Sequence, residues 1–261
     1  GYAHARDGTR LFYAMEPGDG VPLVTVDPMY YLHVSQQAQF ASDLVFNRAL
    51  AAGSPWYMFD WRGKGMSGTG PISRESLQSD IEAILKVAGT PCDIYAWGPS
   101  SHLAVSLAAE QSNLVRRMVL AATARYQRDS WFWGKFYRLM LADPAAAMGQ
   151  FLRGLHESID VRESRVLVQR WQELMPMESV ESYRTEMLAH DDLAKFTAGL
   201  ETPVLLIAES FYMELSIQAA EVLPGSKVVT LPQIRASAET ARFMRELWDK
   251  HVPPVSPPSR G

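Results

Sequence analysis

DWRGKGMS, residues 60–67, follows directly on the apolar run WYMF at 56–59. Such a run reads as a strand, and the glycines at 63 and 65 read as a turn whose backbone takes angles that side chains forbid. Asp60 and Arg62 flank Trp61, where a carboxylate and a guanidinium can brace the turn through charge-assisted hydrogen bonds. The octet therefore predicts a strand followed by a braced loop. Its chemistry is structural.

Outward from this loop, short β-rich runs alternate with longer helix-periodic ones, the rhythm of βαβ units and a mostly parallel sheet. LFYAME and PLVTVD precede the octet as strands, with a helix around QQAQFASDLVFNRALAAG between PLVTVD and WYMFDW. DIYAWG, RMVLAAT, PVLLIAE and KVVTLP supply further strands, HLAVSLAAEQ reads as a helix, and ETARFMRELWDK is the last one. From Arg125 to Lys195 no strand pattern appears, while aromatic, Met and Leu residues recur at helical spacing. The expected organisation is a core of residues 1–124 and 196–252, a helical lid at 125–195 and a proline-rich linker at 253–261.

Composition narrows the function classes. The 261 residues carry a net charge of -4, which leaves no basic footprint for nucleic acid or an anionic membrane surface. One cysteine, Cys92, excludes an internal disulfide and any cysteine-rich metal site and fits a cytoplasmic setting. No run approaches the length of a membrane span. The six histidines are dispersed without metal-ligand spacing, and no glycine-rich phosphate loop is present, so no metal and no cofactor are expected.

The order PLVTVDPMYYLH, FDWRGKGMSG, DIYAWGPSSHLAVSLAAE, VRRMVLAATA, PVLLIAE and LPGSKVVTLP resembles the α/β-hydrolase superfamily over about residues 6 to 252. The octet looks like the D-x-R-G-x-G-x-S loop of those proteins. The resemblance implies a mostly parallel central sheet flanked by helices, with a helical lid insertion. It also implies where a Ser-His-acid site would stand, and each position can be examined. Ser100, two residues after Gly98 in YAWGPSSH, matches the nucleophile, and Ser101 would offer one oxyanion N–H; His102 stands where the second glycine of G-x-S-x-G is expected. The acid position holds Phe211 and the histidine position holds Ala236, with no histidine between His190 and His251. Asp27-Pro28 replaces the His-Gly of the first oxyanion loop. A base from His33 or His102 would need unfamiliar geometry.

The resemblance places the remaining cavity between the lid and the C-terminal sheet edge. Met29, Tyr30, Tyr31, Ser100, Ser101, Trp131, Trp133, Phe136, Phe211 and Tyr212 are expected to face it, an aromatic set suited to a small ligand. Asp27, Glu209 and Arg235 would lie at its rim. More loosely, the loops DPMYYLHVS and FDWRGKGMSG resemble those of α/β-hydrolase-like sensory domains joined to LuxR-type helix-turn-helix regulators or to nucleotide cyclases. That likeness implies a ligand-sensing domain with an output domain beyond Gly261. Two other readings stay open: an active esterase-like hydrolase or cofactor-free lyase or oxygenase built around Ser100, and a structural pseudoenzyme contributing a homodimer interface.

Overall fold

The structure is a computed structural model that describes residues 1–37, 41–130, 132–156 and 159–252. Its centre is an eight-stranded sheet in the order β1-β2-β4-β3-β5-β6-β7-β8. β1 (Tyr2–His4) and β2 (Arg10–Glu16) form a hairpin, and β2 runs antiparallel to β4 (Trp56–Phe59). β3 (Leu23–Val26), β4, β5 (Cys92–Trp97), β6 (Val115–Ala121), β7 (Val204–Glu209) and β8 (Lys227–Leu231) are parallel. The interior strands are covered on both faces, which is why LVTV, WYMF and VLLIA read as unbroken apolar runs. Alternation sorts the side chains: on β7, Val204 and Leu206 pack on one face, Leu205 and Ile207 on the other.

The helices are α1 (Val34–Gln37), α2 (Ala41–Ala51), α3 (Arg74–Ala88), α4 (Ser100–Glu110), α5 (Tyr137–Ala142), α6 (Pro144–Leu155), α7 (Val161–Glu173), α8 (Met177–Ala189), α9 (Met213–Ala220) and α10 (Ala238–His251). α10 presents Ala241, Met244 and Trp248 to the face also covered by Phe46 and Leu50 of α2. α3 packs Leu77, Ile81, Ile84 and Leu85 on the opposite face and opens with a capping box between Ser73 and Ser76. β1, α3 and α9 are elements the strand and helix patterns left out. β1 is too short for a pattern, whereas the cap and spacing of α3 were readable. Between β6 and β7 the chain runs through α5–α8, with Tyr126 bridging Asp192 and an Arg125–Asp192 ion pair of 3.2 Å where the segment departs and returns. The proline-rich stretch 253–261 lies outside the described residues. Among those described, no helix is long and apolar enough to cross a membrane.

The octet 60–67 is braced by a buried polar network. Asp60 accepts the backbone N–H groups of Val34 (2.8 Å) and Met66 (3.0 Å), and the Ser67 hydroxyl donates to the Asp60 carbonyl (2.6 Å). Gly65, at φ 58°, lies so close to the Asp60 carboxylate that a Cβ would collide with it. Arg62 is fully buried and donates to both Asp80 oxygens, to Asp7 and to the carbonyls of Pro71 and Ser76.

Candidate functional site

The parallel strands deliver their C-terminal ends to one edge of the sheet, where α/β proteins keep their ligand crevices. Asp27 follows β3, Trp97 ends β5, Ala121 ends β6, Glu209 ends β7, and Pro232 follows β8. All five line a cavity of about 590 Å³. α2 adds Asp43, Phe46 and Asn47; the lid adds Lys135, Phe136, Leu139, Ala147, Phe151 and Leu155. The volume falls within the usual range for small-molecule sites.

Ser100 is not on this cavity. β5 ends at Trp97, and the residue that turns sharply into α4 is Gly98, at φ 57°. In a serine hydrolase that strained strand-to-helix turn carries the nucleophile. Here Ala96 and Ser100 take the flanking small-residue positions, so the five-residue spacing is A-W-G-P-S with glycine at its centre. This corrects the alignment that put the nucleophile at Ser100. Ser100 is the first residue of α4, fully buried, its hydroxyl 2.7 Å from the Val26 carbonyl and 2.8 Å from that of Trp97. Ser101 is equally buried, and its hydroxyl accepts from Thr123 (2.9 Å). His102 is thereby relieved of the glycine position. Its Nε2 bonds the Ala124 carbonyl (2.8 Å), while His33 Nδ1 bonds Ser35 Oγ (2.7 Å), so neither histidine serves Ser100.

The other expected residues divide. Tyr31, Phe136, Phe211 and Tyr212 line the cavity, and so does Ala236. Met29, Tyr30 and Trp133 do not. Tyr30 and Trp133 pack edge-on with centroids 5.5 Å apart, the indole of Trp133 donating to Gln127 (3.1 Å), and Met29 is buried in the same cluster. These three join lid to core because apolar area that can be buried between two layers is removed from water there. Trp131 lies outside the described residues. Arg235 is absent from the lining and bonds Gln233 instead (3.0 Å). Cys92 sits buried at the opposite end of β5, where burial pushes its thiol up to about 12.

What the sequence reading missed is polar and aromatic together. Trp97 and Phe151 stack with centroids 6.1 Å apart and planes 11° apart, and Tyr31 meets both edge-on at 5.2 and 6.3 Å. Behind them the Tyr31 hydroxyl lies 2.8 and 3.0 Å from the Asp43 oxygens and 3.1 Å from Nε2 of His156. His156 caps the end of α6, so this contact ties the lid to the wall of the cavity. Burial pushes Asp43 up to about 8, with the nearby Asp27 carboxylate adding to the shift, and pushes His156 down to about 3. Asp27 accepts the Trp97 indole N–H (2.6 Å); burial raises it, against that bond and the charge of Lys64. Glu209, raised by burial, accepts the backbone N–H of Ile234. One signal was available: Asp43 shares the i, i+3, i+7 stripe of Phe46 and Leu50 on α2, a carboxylate on an apolar face.

Among solved structures, an enol-lactonase from Burkholderia xenovorans LB400 matches 97% of this chain and 99% of its own with a TM-score of 0.69 at 20% identity. An esterase, RhEst1, from Rhodococcus sp. ECU1013 matches 96% and 98% with a TM-score of 0.72 at 18% identity. The chain has the α/β-hydrolase fold. The bottromycin epimerase BotH, solved in complex with bottromycin A2, shares the architecture over 97% of this chain and 99% of its own, with a TM-score of 0.70 at 18% identity. No protein-family model matches the sequence, and no curated protein matches it significantly. Among the described residues no group of three or more His, Cys, Asp or Glu side chains is arranged to hold a metal ion.

Proposed function

We propose that this chain is a ligand-binding domain built on the α/β-hydrolase fold, receiving a small, largely apolar or aromatic molecule without Ser-His-acid hydrolysis. The observation that carries this reading is Gly98 at φ 57°: the one turn built to hold a nucleophile holds a residue with no side chain. Ala236 and Phe211 support it from the loops after β8 and β7, and Asp27 supports it from the loop after β3, since a carboxylate there opposes an oxyanion. Fold alone carries no activity, and the solved neighbours named above are described as different enzymes, so the argument rests on the site. Short-chain aryl esters are expected to turn over no faster with the protein present than in buffer alone. Covalent labelling of any serine by a fluorophosphonate, or ester turnover above the buffer rate, would overturn the reading.

In the same reading the domain serves regulation, reporting its ligand through the lid. The Asp43–Tyr31–His156 contact supports this, because it joins the cavity wall to the end of α6. A ligand shifts such an equilibrium only by binding one lid arrangement better than another. Amide hydrogen exchange in α6 is therefore expected to slow on ligand addition, while α3, across the sheet from α2 and α10, stays unchanged. Equal exchange in α6 with and without a bound ligand would remove the sensory role.

A further inference from the structure

The polarity of the cavity is the reverse of what an ester-cleaving site requires. Three carboxyl side chains reach it from three separate elements: Asp27 from the loop after β3, Asp43 from α2 and Glu209 from the end of β7. The three share one electrostatic neighbourhood: the Tyr95 hydroxyl, held un-ionised first by burial, is held so further by each of them. Among the described lining residues the one basic side chain is Lys135, which is exposed. Buried Lys64 acts on both Asp60 and Asp27 and so offsets part of that charge. Asp43 faces a tyrosine and a histidine held neutral by burial, and Glu209 faces a backbone N–H.

Around these carboxyls stand aromatic faces. Tyr31, Trp97 and Phe151 form a three-sided wall, closed on one side by Phe136, whose centroid lies 5.1 Å from that of Phe151. Rings attract a cation through their negative faces, and a desolvated carboxylate attracts it more strongly still. A neutral ligand would use the walls and gain no charge pairing from the carboxyls. An anion would be opposed by each of them that is ionised, whereas a cation favours their ionised form.

We propose that the cavity selects a cationic ligand, an aromatic body bearing an ammonium group that sits against Asp43 and Glu209 with its rings among Tyr31, Trp97 and Phe151. This rests on the reading of the cavity as a ligand site and adds the charge class to it. Burial holds all three carboxyls above their ordinary range, and an ammonium arriving beside them draws them toward the ionised form.

The test is calorimetric titration of the full chain with three indoles of similar size: tryptamine, tryptophol and indole-3-acetate, at about pH 8, where the amine is still protonated. Tryptamine is expected to bind about tenfold more tightly than tryptophol, and indole-3-acetate more weakly than either. Tryptophol binding as tightly as tryptamine would overturn the charge selection and leave the cavity a ligand site. Binding by none of the three would overturn both. Asp43→Asn and Glu209→Gln should each narrow the gap between amine and alcohol. An undiminished gap in both variants would overturn the assignment to these carboxyls.

Discussion

Replacing Arg62 with methionine is expected to destabilise the fold by about 3–5 kcal/mol, the scale for removing one partner of a buried ion pair. Arg62 and Asp80 are both fully buried, with Nη2 2.7 Å from Oδ1, and the guanidinium also satisfies the carbonyls of Pro71 and Ser76. Methionine fills similar volume but takes the guanidinium from the Asp80 carboxyl, which keeps the backbone N–H of residue 62 at 3.3 Å, and removes one donor from each carbonyl. Asp7, the other acid on Arg62, is 41% exposed and can return to water, so the loss centres on Asp80. Burial already holds Asp80 up at about 6 with the arginine in place, and without it the carboxyl rises further. The deficit should therefore shrink on acidification, as Asp80 takes up a proton in the folded variant. Urea unfolding of the variant and of Arg62→Met/Asp80→Leu measures both effects, with the double variant recovering most of the loss. A single variant within about 1 kcal/mol of wild type would show that the loop is braced by its glycines and backbone bonds alone.

Asp43→Asn is expected to become progressively more stable than wild type as pH rises. The folded chain holds the Asp43 carboxyl up at about 8 against an ordinary value of 3.8, so between these limits the folded state binds a proton that the unfolded state has released. Stability from this group is full below the ordinary value and is lost as pH rises through about 8, at about 1.4 kcal/mol per pH unit. Asparagine keeps hydrogen-bonding capacity toward Tyr31 without a titrating proton. Between about pH 5 and pH 8 the variant should gain up to about 4 kcal/mol on wild type. His33 and His102, held low by burial and away from Asp43, titrate alike in both proteins, so the difference reports Asp43 together with its neighbours His156 and Asp27. Parallel stability curves from urea unfolding at several pH values would mean that the carboxyl is ionised throughout. A group that lowers the stability of its own fold at neutral pH and faces a cavity is one whose retention calls for a functional reason.

The fold was legible because it is written in short-range patterns. WYMF before DWRGKGMS, the apolar runs of β3, β5, β6 and β7, and the helical spacing from Tyr137 to Ala189 each name an element from its own residues. β1 escaped because three residues carry no period. The site was half legible for a related reason. The resemblance placed Tyr31, Phe136, Phe211 and Tyr212 at the cavity, and they line it, as does Ala236. The same resemblance placed Met29, Tyr30 and Trp133 there, but aromatic and apolar side chains suit a lid interface as well as a pocket.

Residue identity determined the apolar strand runs and their order along the chain, and it put Phe211 and Ala236 where the resemblance expects an acid and a histidine. Tertiary structure decided which residue occupies the turn after β5. In WGPSS either glycine or serine can stand there by spacing, and the choice depends on where the strand ends: β5 stops at Trp97, the left-handed backbone falls on Gly98, and Ser100 turns its hydroxyl into the sheet. Tertiary structure also brought Asp43 of α2 to the cavity where the resemblance had already placed Asp27 and Glu209. No local pattern encodes that meeting, because the charge of a site depends on which strand ends and helix faces share it, and the chain crossings that decide this are written nowhere in the neighbourhood of any one residue.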